Sequence, residues 1–395
     1  MVPNGWKLTS LGEVCSGSLQ TGPFGSQLHA HEYTHEGVPV LMPKDLINYR
    51  ANNESAAKIP EHRADDLKKH TLQSGDLLFS RRGDVARFAL IESDYPRSLC
   101  GTGCLKATPN KAHSPLFLSY FLQKNAVKKW LEQNAVGQTM PNMNTAILAE
   151  LPLMVASSRE EEDKIAKILS TWDKAITTTE KLIESSKQQK KSLMQQLLTG
   201  KKRLVNPETG KAFEGEWKFS QFNELYKVAN NKATQVKSGE YLESGRTPIV
   251  DQGKSIVGGY TNNEITYKDL PVIVFGDHTR IVKWVDFEFA QGADGTQVLK
   301  SHKSLDEKFA YYVLLNTDIP NLGYSRHMRE LKERDFKYPI SKVEQQKIAS
   351  VLTAADKEIK VLEAKLAHFK QEKKALMQQL LTGKRRVMVA ETEAA

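Results

Sequence analysis

KKSLMQQLLTGK at residues 190–201 returns as KKALMQQLLTGK at residues 373–384, with eleven of twelve positions identical at an offset of 183. Chance does not supply such a match, and an internal repeat of this kind governs how the rest of the chain is read. The offset also holds upstream. Ile165, Leu169, Trp172, Ile176, Thr179, Ile183, Ser186, Lys190, Leu193 and Leu197 step by four and three, and the same shift turns them into Ile348, Leu352, Ala355, Ile359, Leu362, Leu366, Phe369, Lys373, Leu376 and Leu380. An apolar seam with a 3.5-residue period predicts coiled-coil helices rather than broad globular faces. Ser158 with Glu161, and Ser341 with Glu344, both spell the S-x-x-E capping box. Gly200 and Gly383 stand where a left-handed residue would stop each helix. At a rise of 1.5 Å per residue, some 40 residues give helices roughly 60 Å long.

The simplest partner for either helix is the other. The expected interface is then Ile165, Leu169, Trp172, Ile176, Ile183, Leu193 and Leu197 against Ile348, Leu352, Ile359, Leu362, Leu366, Phe369, Leu376 and Leu380. Antiparallel packing would create a pseudo-twofold axis, and parallel packing would set the flanking domains side by side; the residues alone leave both open. Thr179, Ser186 and Lys190 make the middle of the first seam weakly apolar, which leaves that stretch available to another protein.

The repeat divides the 395 residues into a first globular domain at 1–156, a helix at 157–202, a second globular domain at 203–340, a second helix at 341–386 and a tail at 387–395. In the first domain residues 38–43, 76–80 and 86–92 read as strands, and residues 114–133 as one amphipathic helix with Leu118, Phe121 and Leu122 inward. In the second domain residues 246–251, 270–277 and 280–290 read as strands, and residues 306–316 as a helix. Trp6-Lys7 opens the first domain and Trp217-Lys218 the second, and both tryptophans are expected in the core. The fold class is therefore α+β, two mixed domains that are divergent copies, each followed by a long helix. Near-identical helices beside dissimilar domains are what arises when a scaffold binds one kind of partner twice while each domain reads something different.

With 39% hydrophobic and 26% charged residues the chain can bury substantial cores. No apolar run reaches the roughly 18 residues of a membrane span, and the first residues lack a signal-peptide pattern, so a cytoplasmic protein is expected. Cys15, Cys100 and Cys104 are too few for a disulfide framework. The net charge of +9 is concentrated: residues 187–203 carry +6 and residues 370–386 carry +5, leaving the remainder at −2. Such basic helix ends suit the helix dipole, and also suit phosphates or acidic partners.

Motifs for catalysis are poor. Gly253-Lys254-Ser255 is not a P-loop, because Pro248 stands where its first glycine belongs. His29, His31 and His35 with Cys100 and Cys104 match no common zinc spacing, so no metal is expected. If the basic stretches contact nucleic-acid phosphates, base reading falls to bidentate donors and acceptors on loops, with Arg suited to guanine and Asn or Gln to adenine. The candidates are Ser26, Gln27, Arg81, Arg82, Gln138, Thr139, Asn142 and Asn144 in the first domain, and His278, Thr279, Arg280, Tyr324, Ser325, Arg326 and His327 in the second.

Taken in order, the motifs resemble those of the specificity subunit of Type I restriction-modification systems over essentially the whole length. TGPFGSQLHAHEY at 21–33, SGDLLFSRRGD at 74–84, VGQTMPNMN at 136–144, TPIVDQGKSIVGGYT at 247–261, NLGYSRHMRELKERDFKYPI at 321–340 and the repeated LMQQLLTGK carry the resemblance. It implies two target recognition domains held apart by an antiparallel coiled coil with pseudo-twofold symmetry, each reading half of an interrupted DNA site. It implies partnership with two adenine methyltransferase subunits, and with restriction subunits where cleavage occurs. It implies no catalytic residue and no cofactor on this chain, S-adenosylmethionine, ATP and Mg being used by the partners. The alternatives are a duplicated coiled-coil scaffold for acidic protein partners and a self-sufficient enzyme with an unfamiliar site.

Overall fold

The computed structural model describes residues 2–24, 26–137, 140–321, 323 and 326–388. The two long helices run over Arg159–Leu197 and Lys342–Leu380, 39 residues each. The chain forms two compact units, one made of residues 1–178 with 366–395 and the other of residues 179–365. Each unit therefore takes part of both long helices.

Within each unit the helical stretches run antiparallel, which the seam pattern alone left open. In the first unit Glu161 pairs with Arg386 and Asp173 with Lys373; in the second Lys187 pairs with Glu363, Lys190 with Asp356 and Arg203 with Glu344. As one residue number rises, its partner's falls. The seam residues are buried or half-buried along both helices, with Ile165, Leu169, Leu197 and Leu352 wholly enclosed and the Trp172 ring edge-on to Phe369 at 5.6 Å. Lys190, the polar interruption of the first seam, reaches sideways to Asp356 and so leaves no unpaired charge.

Both helix starts use the expected serine. The Ser158 hydroxyl accepts from Glu161 N at 3.3 Å and the Ser341 hydroxyl from Glu344 N at 3.4 Å. The glutamate carboxylates are taken by arginines from the far end of the other helix. Arg386 donates to both oxygens of Glu161 at 2.6 and 2.9 Å, and Arg203 to both oxygens of Glu344 at 2.6 and 2.7 Å. Burial alone would raise the Glu161 carboxyl, but Arg386 and Ser157 outweigh it and hold the group below the usual carboxylate range.

The globular segments share one topology despite their sequence divergence. Among the described residues the first unit has a sheet in the order Leu19–Thr21, Cys104–Ala107, Leu77–Ser80, Phe88–Leu90, extended at its edge by Arg50–Ala51 and Leu46–Ile47. The second unit has Tyr226–Val228, Thr296–Ser301, Val272–Gly276, Val282–Val285 in the same order. A second sheet pairs Val38–Leu41 antiparallel to Ala57–Ile59 and parallel to Leu99–Cys100; its counterpart pairs Thr247–Val250 antiparallel to Gly259–Thr261 and parallel to Ala290–Gly292. In each unit the opening strand pairs with the strand that leads into a long helix, Lys7–Ser10 with Pro152–Val155 and Trp217–Gln221 with Asp335–Pro339. The single helix expected at 114–133 is two, Pro115–Leu122 and Asn125–Asn134, because Lys124 between them is extended. The first is buried on nearly every side and the second amphipathic, so each docks differently.

Where each long helix stops, the repeat has a second consequence. Gly200 and Gly383 are left-handed, with φ of 73° and 64°. A Cβ on Gly200 would sit 3.1 Å from the Trp217 ring, and one on Gly383 would sit 3.0 Å from Trp6 and 2.8 Å from Pro3. The helix terminus is thus sealed by the tryptophan that opens a globular segment, Trp6 being buried and Trp217 half-buried. Replacing either glycine with alanine should destabilise by about 1 kcal/mol or more, since the backbone needs φ above zero. Thermal melting should register this as a drop of roughly 2–4 °C; an unchanged Tm would show that the seal stores no strain.

Candidate nucleic-acid interface

In the first unit the hairpin between Leu77–Ser80 and Phe88–Leu90 carries Arg81, Arg82 and Gly83. Its backbone is stitched on both sides. Arg81 N donates to Gly103 O at 2.8 Å, Met143 N to Arg81 O at 2.8 Å and Gly83 N to Pro141 O at 3.1 Å. Asn142 pairs in turn with Val136 through two bonds of 2.8 and 2.9 Å. The Arg81 guanidinium lies over the Phe24 ring at 5.3 Å, which adds the 24–27 turn to the cluster. Gln27 closes that turn by accepting from Phe24 N at 3.2 Å. Arg81 Nε and Asn142 Oδ1 are buried with no hydrogen-bond partner among the described residues. A buried polar atom left unpaired costs about 1–3 kcal/mol.

The equivalent hairpin of the second unit, between Val272–Gly276 and Val282–Val285, carries His278, Thr279 and Arg280. It turns tightly: Arg280 N donates to Gly276 O at 2.7 Å, with Arg280 itself at φ 61°. Gln252 clasps it from the neighbouring loop, its Oε1 accepting from His278 N at 3.1 Å and its carbonyl from the Thr279 hydroxyl at 2.6 Å. That loop is fixed by Lys283, whose ammonium donates to the carbonyls of Asp251 and Ser255 at 2.7 and 2.5 Å. Burial lowers the Lys283 pKa, and the Asp251 carboxylate opposes the fall. The junction before the short helix Met328–Lys332 closes the set, since His327 N donates to Asp277 O at 2.8 Å and Met328 N to Asp277 Oδ1 at 2.7 Å. The bond from Met143 to Arg81 in one unit is the bond from His327 to Asp277 in the other.

The candidate residues therefore fall into two like-built clusters, with distinct roles inside each. Ser26, Arg82 and Asn144 are exposed and Gln27, Arg81 and Asn142 half-buried in the first; Thr279 and Arg326 are exposed and His278 and Arg280 half-buried in the second. Asn144 is committed to structure: its Oδ1 accepts from Ile147 N at 2.8 Å and caps the helix Thr145–Ala149. His327 is wholly buried, with Nδ1 donating to Asp277 O at 2.8 Å, and the Arg280 guanidinium donates to Ile319 O at 2.8 Å. Gln138, Thr139, Tyr324 and Ser325 lie outside the described residues. Phe24, Asp251, Gln252 and Lys283 were not singled out from sequence, because an aromatic ring, an amide and a single ion pair acquire their roles only when distant loops meet.

Elsewhere Cys15, Cys100 and Cys104 are buried free thiols, and burial pushes Cys15 and Cys100 up to about 12. His29 and His31 stack on each other at 5.5 Å and are exposed, unlike Cys100 and Cys104. No helix among the described residues is long and apolar enough to cross a membrane.

A family model described as Type I restriction modification DNA specificity domain matches residues 3–187 and again residues 214–371. The chain is 27% identical over 384 residues to a putative type I restriction enzyme specificity subunit of Methanocaldococcus jannaschii, covering 89% of this chain and 88% of that protein. It is 31% identical over 123 residues to a type I restriction enzyme specificity subunit of Escherichia coli, 30% of each chain. Among solved structures, the S subunit of a Type-I restriction-modification system from M. genitalium superposes with a TM-score of 0.65 at 17% identity, over 96% of this chain and 97% of that one. A chain from a study of complex assembly and conformational transition of the type I R-M system gives 0.53 at 16% identity, over 98% and 100%. These likenesses establish the fold.

The division of labour inside the clusters can be measured. Asn144→Ala should cost about 1 kcal/mol through the lost cap, whereas Arg82→Ala, at an exposed loop position, should leave the melting temperature unchanged. Equal losses for both would place Arg82 in the framework and remove it from the reading surface.

Proposed function

The chain belongs to the Type I restriction modification DNA specificity family, and from that premise we propose that each unit reads one half of an interrupted DNA site. The carrying observation is that one frame occurs twice with different side chains on it. Hairpin and pre-helix junction are joined by the same backbone bond in both units, yet the first carries Arg82 and Asn142 where the second carries His278 and Arg326. A frame that is kept while its presented donors and acceptors change is suited to reading two different sequences.

On this reading the chain is a non-catalytic subunit. Methylation and cleavage reside in partners: two methyltransferase subunits using S-adenosylmethionine, and restriction subunits using ATP and Mg²⁺, all in the cytoplasm. The repeated helices supply two like docking places for the methyltransferases. With the basic stretches set aside, the rest of the chain carries a net charge of −2. Phosphate contacts dominate affinity for DNA and their salt dependence. The isolated chain should therefore bind DNA weakly, with a marked gain on adding methyltransferase.

Methylome sequencing of cells carrying the chain and its methyltransferase should give a two-part motif. Exchanging residues 203–340 for those of another family member should change one half of it and leave the other; a change in both halves would overturn the one-unit, one-half assignment. Within the first unit, Arg82→Ala should reduce discrimination at its half by roughly tenfold, within the 1–3 kcal/mol of a good base contact, measured by competition binding with single-base variants of the site. Equal weakening on every sequence would instead make Arg82 a phosphate contact.

A further inference from the structure

In the first unit the Arg81 guanidinium is fixed in place while its donors are spent on nothing. The backbone of Arg81 is pinned from both sides, its N–H donating to Gly103 O and its carbonyl accepting from Met143 N, each at 2.8 Å. The guanidinium carbon lies 5.3 Å from the centre of the Phe24 ring. The turn that carries the ring is itself closed, by Phe24 N to Gln27 Oε1 at 3.2 Å and Gln27 N to Phe24 O at 2.7 Å. Among the described residues the guanidinium makes no hydrogen bond and no ion pair. Its Nε is buried, which closes a side-on approach and leaves Nη1 and Nη2 as the fork a ligand can meet. The second unit uses the same position differently. Asp277, which takes the place of Arg81 in the shared bond to the junction, is enclosed, and its carboxylate accepts from Met328 N at 2.7 Å. There the side chain closes the junction; among the described residues Arg81 joins it through the main chain alone.

A rigidly mounted fork of two donors is matched to two acceptors in one plane. On DNA these are the O6 and N7 atoms of guanine in the major groove, or the oxygens of a phosphate. A mobile side chain serves a phosphate as well as a fixed one, whereas a base edge must be met in its plane. Holding the fork on a ring removes that ordering cost before DNA arrives. Phe24 adds a second contact. Its ring is 51% exposed beside Arg81, and the apolar group that DNA shows in the major groove is the thymine methyl. The 5.3 Å between ring centre and guanidinium carbon lies between one and two base-pair rises of about 3.4 Å. With the fork in the plane of a guanine, the ring comes level with the adjoining pair.

We propose that Arg81 and Phe24 act as one specificity-determining pair: Arg81 reads a guanine of the first half-site through Nη1 and Nη2 to O6 and N7, and Phe24 reads the methyl of a thymine in the adjoining base pair. This rests on the reading of one half-site per unit, and it gives that half two of its bases.

The test uses the full-length chain purified with its methyltransferase, and short synthetic duplexes of the motif found by methylome sequencing. The half of the motif that changes when residues 1–156 are exchanged should contain a guanine beside a thymine–adenine pair. Replacing that guanine with 7-deazaguanine, which lacks the N7 acceptor, should weaken wild-type binding by about tenfold. Arg81→Met removes the fork together with the buried Nε, and should bind guanine and 7-deazaguanine alike. Replacing the thymine with deoxyuridine removes the methyl alone and should weaken wild type by about fourfold, the worth of one buried methyl group; Phe24→Ala should not distinguish the two. Both base replacements are read on the unaltered protein first, so neither arm depends on a variant folding. A first half-site without guanine, or 7-deazaguanine bound as tightly as guanine, overturns the inference and leaves the two-part reading standing. So does an equal loss for Arg81→Met on every sequence, which a phosphate contact would produce, and so does deoxyuridine bound as tightly as thymine, which dissolves the pair. A wild-type chain giving no two-part motif overturns the underlying reading and the inference with it.

Discussion

Antiparallel pairing of two apolar seams is the constraint on which each unit depends. The core of the first unit runs from Leu11, Phe79 and Phe117 through Ile165 and Leu169 to Leu380 and Leu381, so it draws on both long helices. The second does the same through Phe275, Phe309 and Tyr312 with Leu197, Leu198, Ile348 and Leu352. Neither globular segment completes its core alone. Apolar burial supplies most of the stabilisation, while the Arg386–Glu161 and Arg203–Glu344 pairs fix which end of one helix meets which end of the other. Hydrophobic contact is tolerant of sliding; a bidentate arginine on a buried carboxylate is not.

The helices were legible because their signal is long and redundant. Ten seam positions, serine caps and terminal glycines all repeat at one offset, and agreement at several levels specifies structure better than any single preference. The shared topology of the globular parts was legible only as an order of strands. What decides it is pairing between residues far apart, such as Val40 with Leu99 and Ile249 with Ala290. Lys190 shows the limit well. In sequence it is a polar fault in an apolar seam; in space it bonds Asp356 and lies over the Tyr312 ring, residues 166 and 122 positions away.

The reading surface was legible as residue types on loops, and less so as individual roles. Asn144 and His327 have side chains that could meet a base edge, yet one caps a helix and the other is enclosed around Asp277. Short-range hydrogen bonding to the backbone competes for such residues, and composition cannot say which use prevails. Arg82 and Thr279 both remain exposed on hairpins anchored by main-chain bonds, but the Thr279 hydroxyl is also spent on the Gln252 carbonyl. Sequence change is therefore freer of consequence for the frame at Arg82 than at Thr279.

The division into one continuous unit, residues 179–365, and one interrupted unit, residues 1–178 with 366–395, bears on how the protein is made. Synthesis proceeds from the N-terminus, and domains generally fold as their residues emerge. The second unit has all its residues once position 365 has left the ribosome. The first, although its globular segment is translated earliest, must hold Ile165 and Leu169 in waiting until Leu380 and Leu381 arrive more than 200 residues later. Such distant closure is slow and exposes apolar surface meanwhile, so the earliest-made part of this chain is the last to be finished.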